Sequence, residues 1–248
     1  MAGHSKWAQI KRAKGVTDAK RGQLFTKLGR EIAVAARDGA DPSGNARLRL
    51  AIQRARDANM AMDTIERAIK RAAGAGDAAN FHEVSYEGYG PNGVAVLVEA
   101  LTDNRNRTAA EIRSVFNRGG GNLGESGSVR WLFDERGVIM AEVNGTDPEE
   151  LALAAIDAGA DDVQTYDDAI EIYTEPGRLE DVRAALDRTG IAVASSEVTL
   201  VPKVTVELDD QAAQQTLRLL ERLEELDDVQ RVYSNSDVSE DVAASLAG

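Results

Sequence analysis

The chain of 248 residues is long enough for one large core or two to three small domains. Its 43% hydrophobic and 29% charged residues are ordinary for a soluble protein, and with aromatics at 4% the cores must be built from Ala, Val, Leu and Ile. The absence of cysteine excludes disulfides and thiolate metal sites. No apolar run is long enough to span a bilayer and no apolar segment follows the N-terminal lysines, so a cytoplasmic protein is expected. The net charge of −13 conceals an asymmetry. Residues 1–79 hold 16 Lys and Arg against 8 Asp and Glu, which leaves −21 on the rest. A basic end on an acidic body points to a nucleic acid as partner.

Taken in order, residues 1–16 read as an arm bounded by Gly3 and Gly15. Its His4, Lys6, Trp7, Lys11, Arg12 and Lys14 combine stacking rings with phosphate-seeking charge, a pairing suited to unpaired nucleotides. A helix then runs from Asp18 to about Asp38, opening with Lys20 and Arg21, which are expected to extend the arm's nucleic-acid contacts, and Leu24, Phe25, Leu28 and Ile32 form its inner face. After the Asp41–Gly44 turn, a second helix covers about Asn45–Ala58. Its Arg47 and Arg54 fall on one flank of the apolar face and Arg49 and Arg56 on the other. Only Asp57 is acidic there, so these arginines are expected to face an external polyanion. A third helix opens at Asp63, with Ile65, Ile69 and Ala72 inward.

From residue 80 the pattern becomes α+β. Strands are expected at Glu83–Glu87 and Gly93–Leu101, a helix at Arg105–Arg118, a glycine-rich loop at Gly119–Gly127, and a strand at Ser128–Phe133 with Val129, Trp131 and Phe133 on one side. Residues 138–201 follow the order βαββαβ, a ferredoxin-like unit complete in itself. The remaining strand Val204–Leu208, helix Asp209–Leu226 and strand Val229–Ser234 are too few to fold alone. The expected organisation is therefore a basic arm and helical bundle (1–79), a discontinuous α/β domain (80–134 plus 203–248), and a ferredoxin-like domain (135–202) inserted within it.

Several motifs yield no chemistry. Gly119–Gly124 has the letters G-x-G-x-x-G, but a helix precedes it and a strand follows, the reverse of a dinucleotide turn. The Thr102–Thr108 junction reads as a capped helix start, with Asn104 or Asn106 as the cap. Arg105 and Arg107 there oppose the helix dipole, so a salt bridge to the acidic body is expected. His4 and His82 are far apart, and the Asp doublets at 161, 167, 209 and 227 lack calcium-loop spacing. No nucleophile has an evident base. The expectation is a non-enzymatic protein with no cofactor, metal, membrane or small-molecule ligand, most simply a monomer.

Ala2–Trp7 with Ile10, Lys11 and Lys14 resembles the opening signature of the YebC/PmpR family. So do Tyr86–Pro91, Thr102–Asn104 with Asn106–Thr108, and Gly119-Gly120 with Leu123-Gly124 and Gly127–Val129. The chain is one glycine richer, at Gly121, than the family's usual pair. The resemblance covers nearly the whole chain and implies a helical domain followed by two α/β domains, the last inserted in the middle one. It also implies a regulator of gene expression. Family members carry the label of DNA-binding transcriptional regulators, and relatives are tied to translation and to the ribosome. Promoter DNA and ribosomal RNA or tRNA thus both stand as partners. The residues show no helix-turn-helix with a polar reading face, which weighs toward RNA. A third reading, from the acidic α/β domains, is a protein–protein adaptor.

Overall fold

The computed structural model describes residues 18–73, 81–143, 145, 147–166 and 169–238. Helix α1 (Asp18–Ala35) ends in a single 3-10 turn through Asp38, and α2 (Ala46–Asp57) and α3 (Met62–Ala73) pack against it. The apolar periodicity predicts the seam: Leu28, Ile32 and Ala35 meet Leu48, Ala51, Ala55, Ile65 and Ala68. Leu24, expected inside, is instead 38% exposed. Asn45 ties the bundle together. Its side-chain oxygen caps α2 by accepting from Leu48 N at 3.0 Å, while its amide donates to the carbonyls of Ala35 and Gly39, each at 2.8 Å.

The first sheet has the order β3-β1-β2-β9, all antiparallel, from β1 (His82–Tyr89), β2 (Ala95–Thr102), β3 (Asn122–Leu123) and β9 (Val229–Ser234). The run Ala95-Val96-Leu97-Val98 is apolar throughout because β2 is covered on both faces. Val96 and Val98 lie in the core under helices α4 (Arg105–Arg118) and α7 (Asp210–Glu224). Ala95 and Leu97 pack with Phe133, Leu200 and Tyr233. The second sheet, of order β5-β6-β4-β7, consists of β4 (Phe133–Glu142), β5 (Asp162–Thr165), β6 (Ala169–Thr174) and β7 (Val193–Pro202). Every neighbouring pair is antiparallel, and helices α5 (Pro148–Asp157) and α6 (Leu179–Thr189) cover one face. This is the ferredoxin-like topology, and it is completed before the chain returns through α7 and β9 to the first sheet. Strand β8 (Val206–Leu208) does not join that sheet; it pairs in parallel with β10 (Ser236–Val238), a strand the sequence reading did not foresee. The described residues contain no helix long and apolar enough to cross a membrane.

The strand expected at Ser128–Phe133 is a loop with a 3-10 turn at Arg130–Leu132, and β4 begins only at Phe133. Glu87 accounts for the change. Its buried carboxylate accepts from the amides of Gly127, Val129 and Arg130 at 2.7, 2.7 and 2.8 Å, groups that a strand would have offered to a neighbour. The preceding glycines let backbones meet. A Cβ at Gly121 would stand 2.5 Å from the Tyr89 carbonyl, and one at Gly88 would stand 2.5 Å from that of Asn122. Gly121→Ala should therefore cost about 1–3 kcal/mol, measured by urea denaturation, because the obstructing atom is backbone.

Candidate nucleic-acid interface

Of the residues expected to bind nucleic acid, His4, Lys6, Trp7, Lys11, Arg12 and Lys14 lie outside the described residues, as does the side chain of Lys20. Arg21 is exposed on the first turns of α1. The remaining cations of that helix face the body. Gln23 Nε2 donates to Glu225 O at 2.7 Å, Lys27 Nζ donates to Glu224 O, and Arg30 Nη1 donates to Asp227 O at 2.7 Å. Spaced by four and three residues, they form one stripe on the carbonyl end of α7, where a helix leaves acceptors unpaired and its dipole is negative. Arg30 also lies 5.4 Å over the Phe81 ring and 3.7 Å from Asp228.

The expectation that the α2 arginines lack local neutralisation fails for three of the four. Arg47 is paired with Glu83. Arg49 donates to the carbonyls of Pro42 and Ser43 at 2.8 and 3.2 Å and stands 3.7 Å from Glu180. Arg54 grips both oxygens of Glu31 at 2.7 and 2.6 Å and reaches Glu197 of β7 at 3.1 Å. Only Arg56, with Nε 3.4 Å from Met62 Sδ, has no carboxylate partner among the described residues. The anions come from α1, β1, α6 and β7, so a count of charges within α2 could not reveal them.

Arg54 belongs to a charged junction where bundle, first sheet and second sheet meet. Arg231 of β9 donates to Val198 O at 3.0 Å, Glu31 Oε1 at 3.1 Å and Tyr233 Oη at 3.4 Å, with Glu197 at 3.9 Å. Tyr233 in turn donates to Glu99 at 3.1 Å. Burial works against the Arg231 charge, but Tyr233, Glu31 and Glu197 overcome it and hold its pKa well above the ordinary value. The junction borders an open cleft of about 740 Å³ lined by Glu31, Arg47, Arg54, Glu83, Glu99 and Arg231. Its cations are matched by carboxylates, an arrangement that fixes domains rather than attracting a polyanion.

Cations left facing solvent occur on α3, which the sequence reading passed over. Arg67, Lys70 and Arg71 are exposed opposite the buried Ile65 and Ala68. Among the described residues Arg67 hydrogen-bonds only within the first turn of its own helix, to Asp63 O at 3.0 Å and Thr64 Oγ1 at 2.9 Å, and Lys70 is 3.8 Å from Glu66. The helical periodicity of residues 62–73 carried that signal. At the Thr102–Thr108 junction, Asn104 is the cap, accepting from Arg107 N at 3.1 Å, and the expected salt bridge forms for Arg107, 2.6 Å from Asp228. No group of three or more His, Cys, Asp or Glu arranged to hold a metal occurs among the described residues.

Comparison with known proteins covers nearly the whole chain. Residues 5–75 match the model of the TACO1/YebC N-terminal domain, and residues 81–236 match that of the TACO1/YebC second and third domain. A probable transcriptional regulatory protein of Dehalococcoides mccartyi strain CBDB1 is 55% identical over 243 residues, 98% of this chain and 97% of its own. One from Rubrobacter xylanophilus is 52% identical over 250 residues and all of both chains. The crystal structure of a conserved hypothetical protein of Aquifex aeolicus superposes with a TM-score of 0.81 at 48% identity, covering 90% of this chain and 93% of the other.

Proposed function

The chain belongs to the TACO1/YebC family, and from that premise we propose that it is a non-enzymatic regulator of gene expression that binds nucleic acid through its N-terminal arm and the solvent face of the bundle. The observation that carries this reading is the division of charge within the bundle. Lys27 and Arg30 of α1 and Arg47, Arg49 and Arg54 of α2 hold the acidic body, while Arg56 and the α3 residues Arg67, Lys70 and Arg71 are left to face outward, with the arm at the same end of the chain. Such a surface grips phosphates and reads few base edges. Helix α2, whose arginines would suit it to lie in a major groove, has three of the four, Arg47, Arg49 and Arg54, paired with Glu83, Glu180, Glu31 and Glu197. This favours folded RNA, with the ribosome as its richest source, over a promoter. The promoter reading draws on the relatives' name, probable transcriptional regulatory protein.

The test is a binding titration of the full chain against a structured ribosomal RNA fragment and a promoter duplex over a range of salt. RNA should bind more tightly, with affinity falling steeply as salt rises. The triple variant R67E/K70E/R71E should weaken binding about tenfold or more, consistent with loss of several phosphate contacts. Preference for one duplex sequence, unaffected by that variant, would refute the RNA reading.

A further inference from the structure

Trp131 is 63% exposed although its neighbours Val129 and Phe133 are buried in the joint between the two sheets. Beside it Tyr89 is 39% exposed. The two rings share one anchor: Trp131 Nε1 and Tyr89 Oη both donate to the carbonyl of Ser128, each at 3.1 Å. Their polar atoms therefore lie within about 6 Å of each other, and each ring's donor hydrogen is already used.

The backbone beneath them is fixed. Glu87 accepts three amides from residues 127–130, Gly124 N donates to Glu87 O at 2.8 Å, and Leu132 N closes the turn on Val129 O at 2.9 Å. Burial raises the Glu87 pKa and the three amides, with the Arg130 charge, more than reverse it, so the carboxylate stays ionised at neutral pH and keeps the loop closed. Across the bond from Lys203 N to Leu132 O, 2.8 Å, Val204 is a further apolar side chain at 63% exposure. Arg130, exposed, is held by the Phe133 carbonyl at 2.8 Å, and Lys203 is half-exposed with Asp134 at 3.1 Å.

A hydrogen-bonded loop thus presents two aromatic rings to solvent, with Arg130 next to Trp131 in the chain and Lys203 bound through its backbone to Leu132, one residue beyond it. Rings whose N–H and O–H already donate offer a base edge no donor and, at the Tyr89 oxygen alone, an acceptor, but their open faces can stack, and Arg130 and Lys203, the latter by exchanging Asp134, can meet flanking phosphates. We infer that Tyr89 and Trp131 form a stacking platform for an unpaired nucleobase, a second nucleic-acid contact on the body, remote in sequence from the arm. The inference rests on the functional reading above. It adds that the bound nucleic acid has an unpaired segment crossing the surface where β1 ends and the turn before β4 lies, recognised chiefly by stacking.

The test uses the full chain and a short single-stranded RNA carrying 5-bromouridine. Ultraviolet cross-linking followed by peptide mapping should place adducts on Trp131 or Tyr89. Trp131→Ala should weaken binding about tenfold, and Trp131→Phe, which keeps a stacking face, should retain most of it. Circular dichroism and the thermal midpoint check that each variant remains folded. RNA that binds through the arm with no adduct on these rings and equal affinity for Trp131→Ala would overturn the platform and leave the functional reading intact. Failure of any RNA to bind the parent chain would overturn both. Loss of self-association in Trp131→Ala, with RNA binding unchanged, would assign the rings to a protein contact instead.

Discussion

Replacing Arg231 by alanine should destabilise the protein by about 4 kcal/mol, the largest effect expected of any single substitution here, because it strips a largely buried ion network of its shared cation. The guanidinium serves Glu31 of the bundle, Tyr233 of the first sheet and Val198 O of the second, with Glu197 close by. Without it, Glu31 and Glu197 share Arg54 alone, and the surplus charge at the edge of the cleft is only partly hydrated. Lysine in its place restores the charge but not the fork that reaches several acceptors, so Arg231→Lys should recover only part of the loss. The measurement is urea unfolding, with hydrogen exchange along α1 and β7 to locate the loosening. A cost under about 0.5 kcal/mol, the range of an ordinary surface change, would mean the junction is not cohesive.

The network also marks the boundary of what the sequence discloses. Helix α4 is legible because Ile112, Val115 and Phe116 repeat at helical spacing behind a capping asparagine. The βαββαβ order of residues 138–201 is legible because each element carries its own period. Long-range partners have no such local sign. Arg54 meets Glu31 from 23 residues away, and Arg231 meets the same carboxylate across 200 residues. An arginine awaiting phosphate and an arginine committed to a distant glutamate look alike in one dimension. The false strand at Ser128–Phe133 has a related cause. Alternation of Val129, Trp131 and Phe133 imitates a pleat, but the Glu87 carboxylate takes the amides a pleat needs and turns Trp131 outward. Strand β10, three residues long and begun by a buried serine, is too short to show a period at all.

Asp228→Ala should cost about 3 kcal/mol, and the companion Asp228→Asn should show that much of the effect depends on pH. Asp228 is 5% exposed just after α7, and its Oδ2 lies 2.6 Å from Arg107, 2.7 Å from Thr108 Oγ1 and 3.2 Å from Thr102 Oγ1. It fastens the segment before β9 to the start of α4, and Arg30 of the bundle approaches its other oxygen. Alanine leaves the buried Thr102 hydroxyl with no acceptor but Thr108 Oγ1, turns Thr108 back onto the Asn104 carbonyl at 3.1 Å, and leaves Arg107 with Asp103 alone. Burial by itself would raise the Asp228 pKa, but the hydrogen bonds from Arg107 and Thr108 and the Arg107 charge outweigh it, leaving the value below that of an ordinary aspartate. The unfolded chain therefore holds the proton more readily. Above the unfolded value of about 3.9 both states are ionised and the contribution is constant, whereas below it stability declines as pH falls through the native value. Asparagine has no charge to lose, so Asp228→Asn should be less stable than the parent at neutral pH, with the gap narrowing under acid. Glu87, depressed in the same direction by its three amides, keeps a residual acid dependence in that variant. Adding Glu87→Gln should flatten it further. Parallel urea midpoints for parent and variants below about pH 4 would refute the assignment, since two carboxylates that favour the folded state only when ionised cannot leave it indifferent to their protonation.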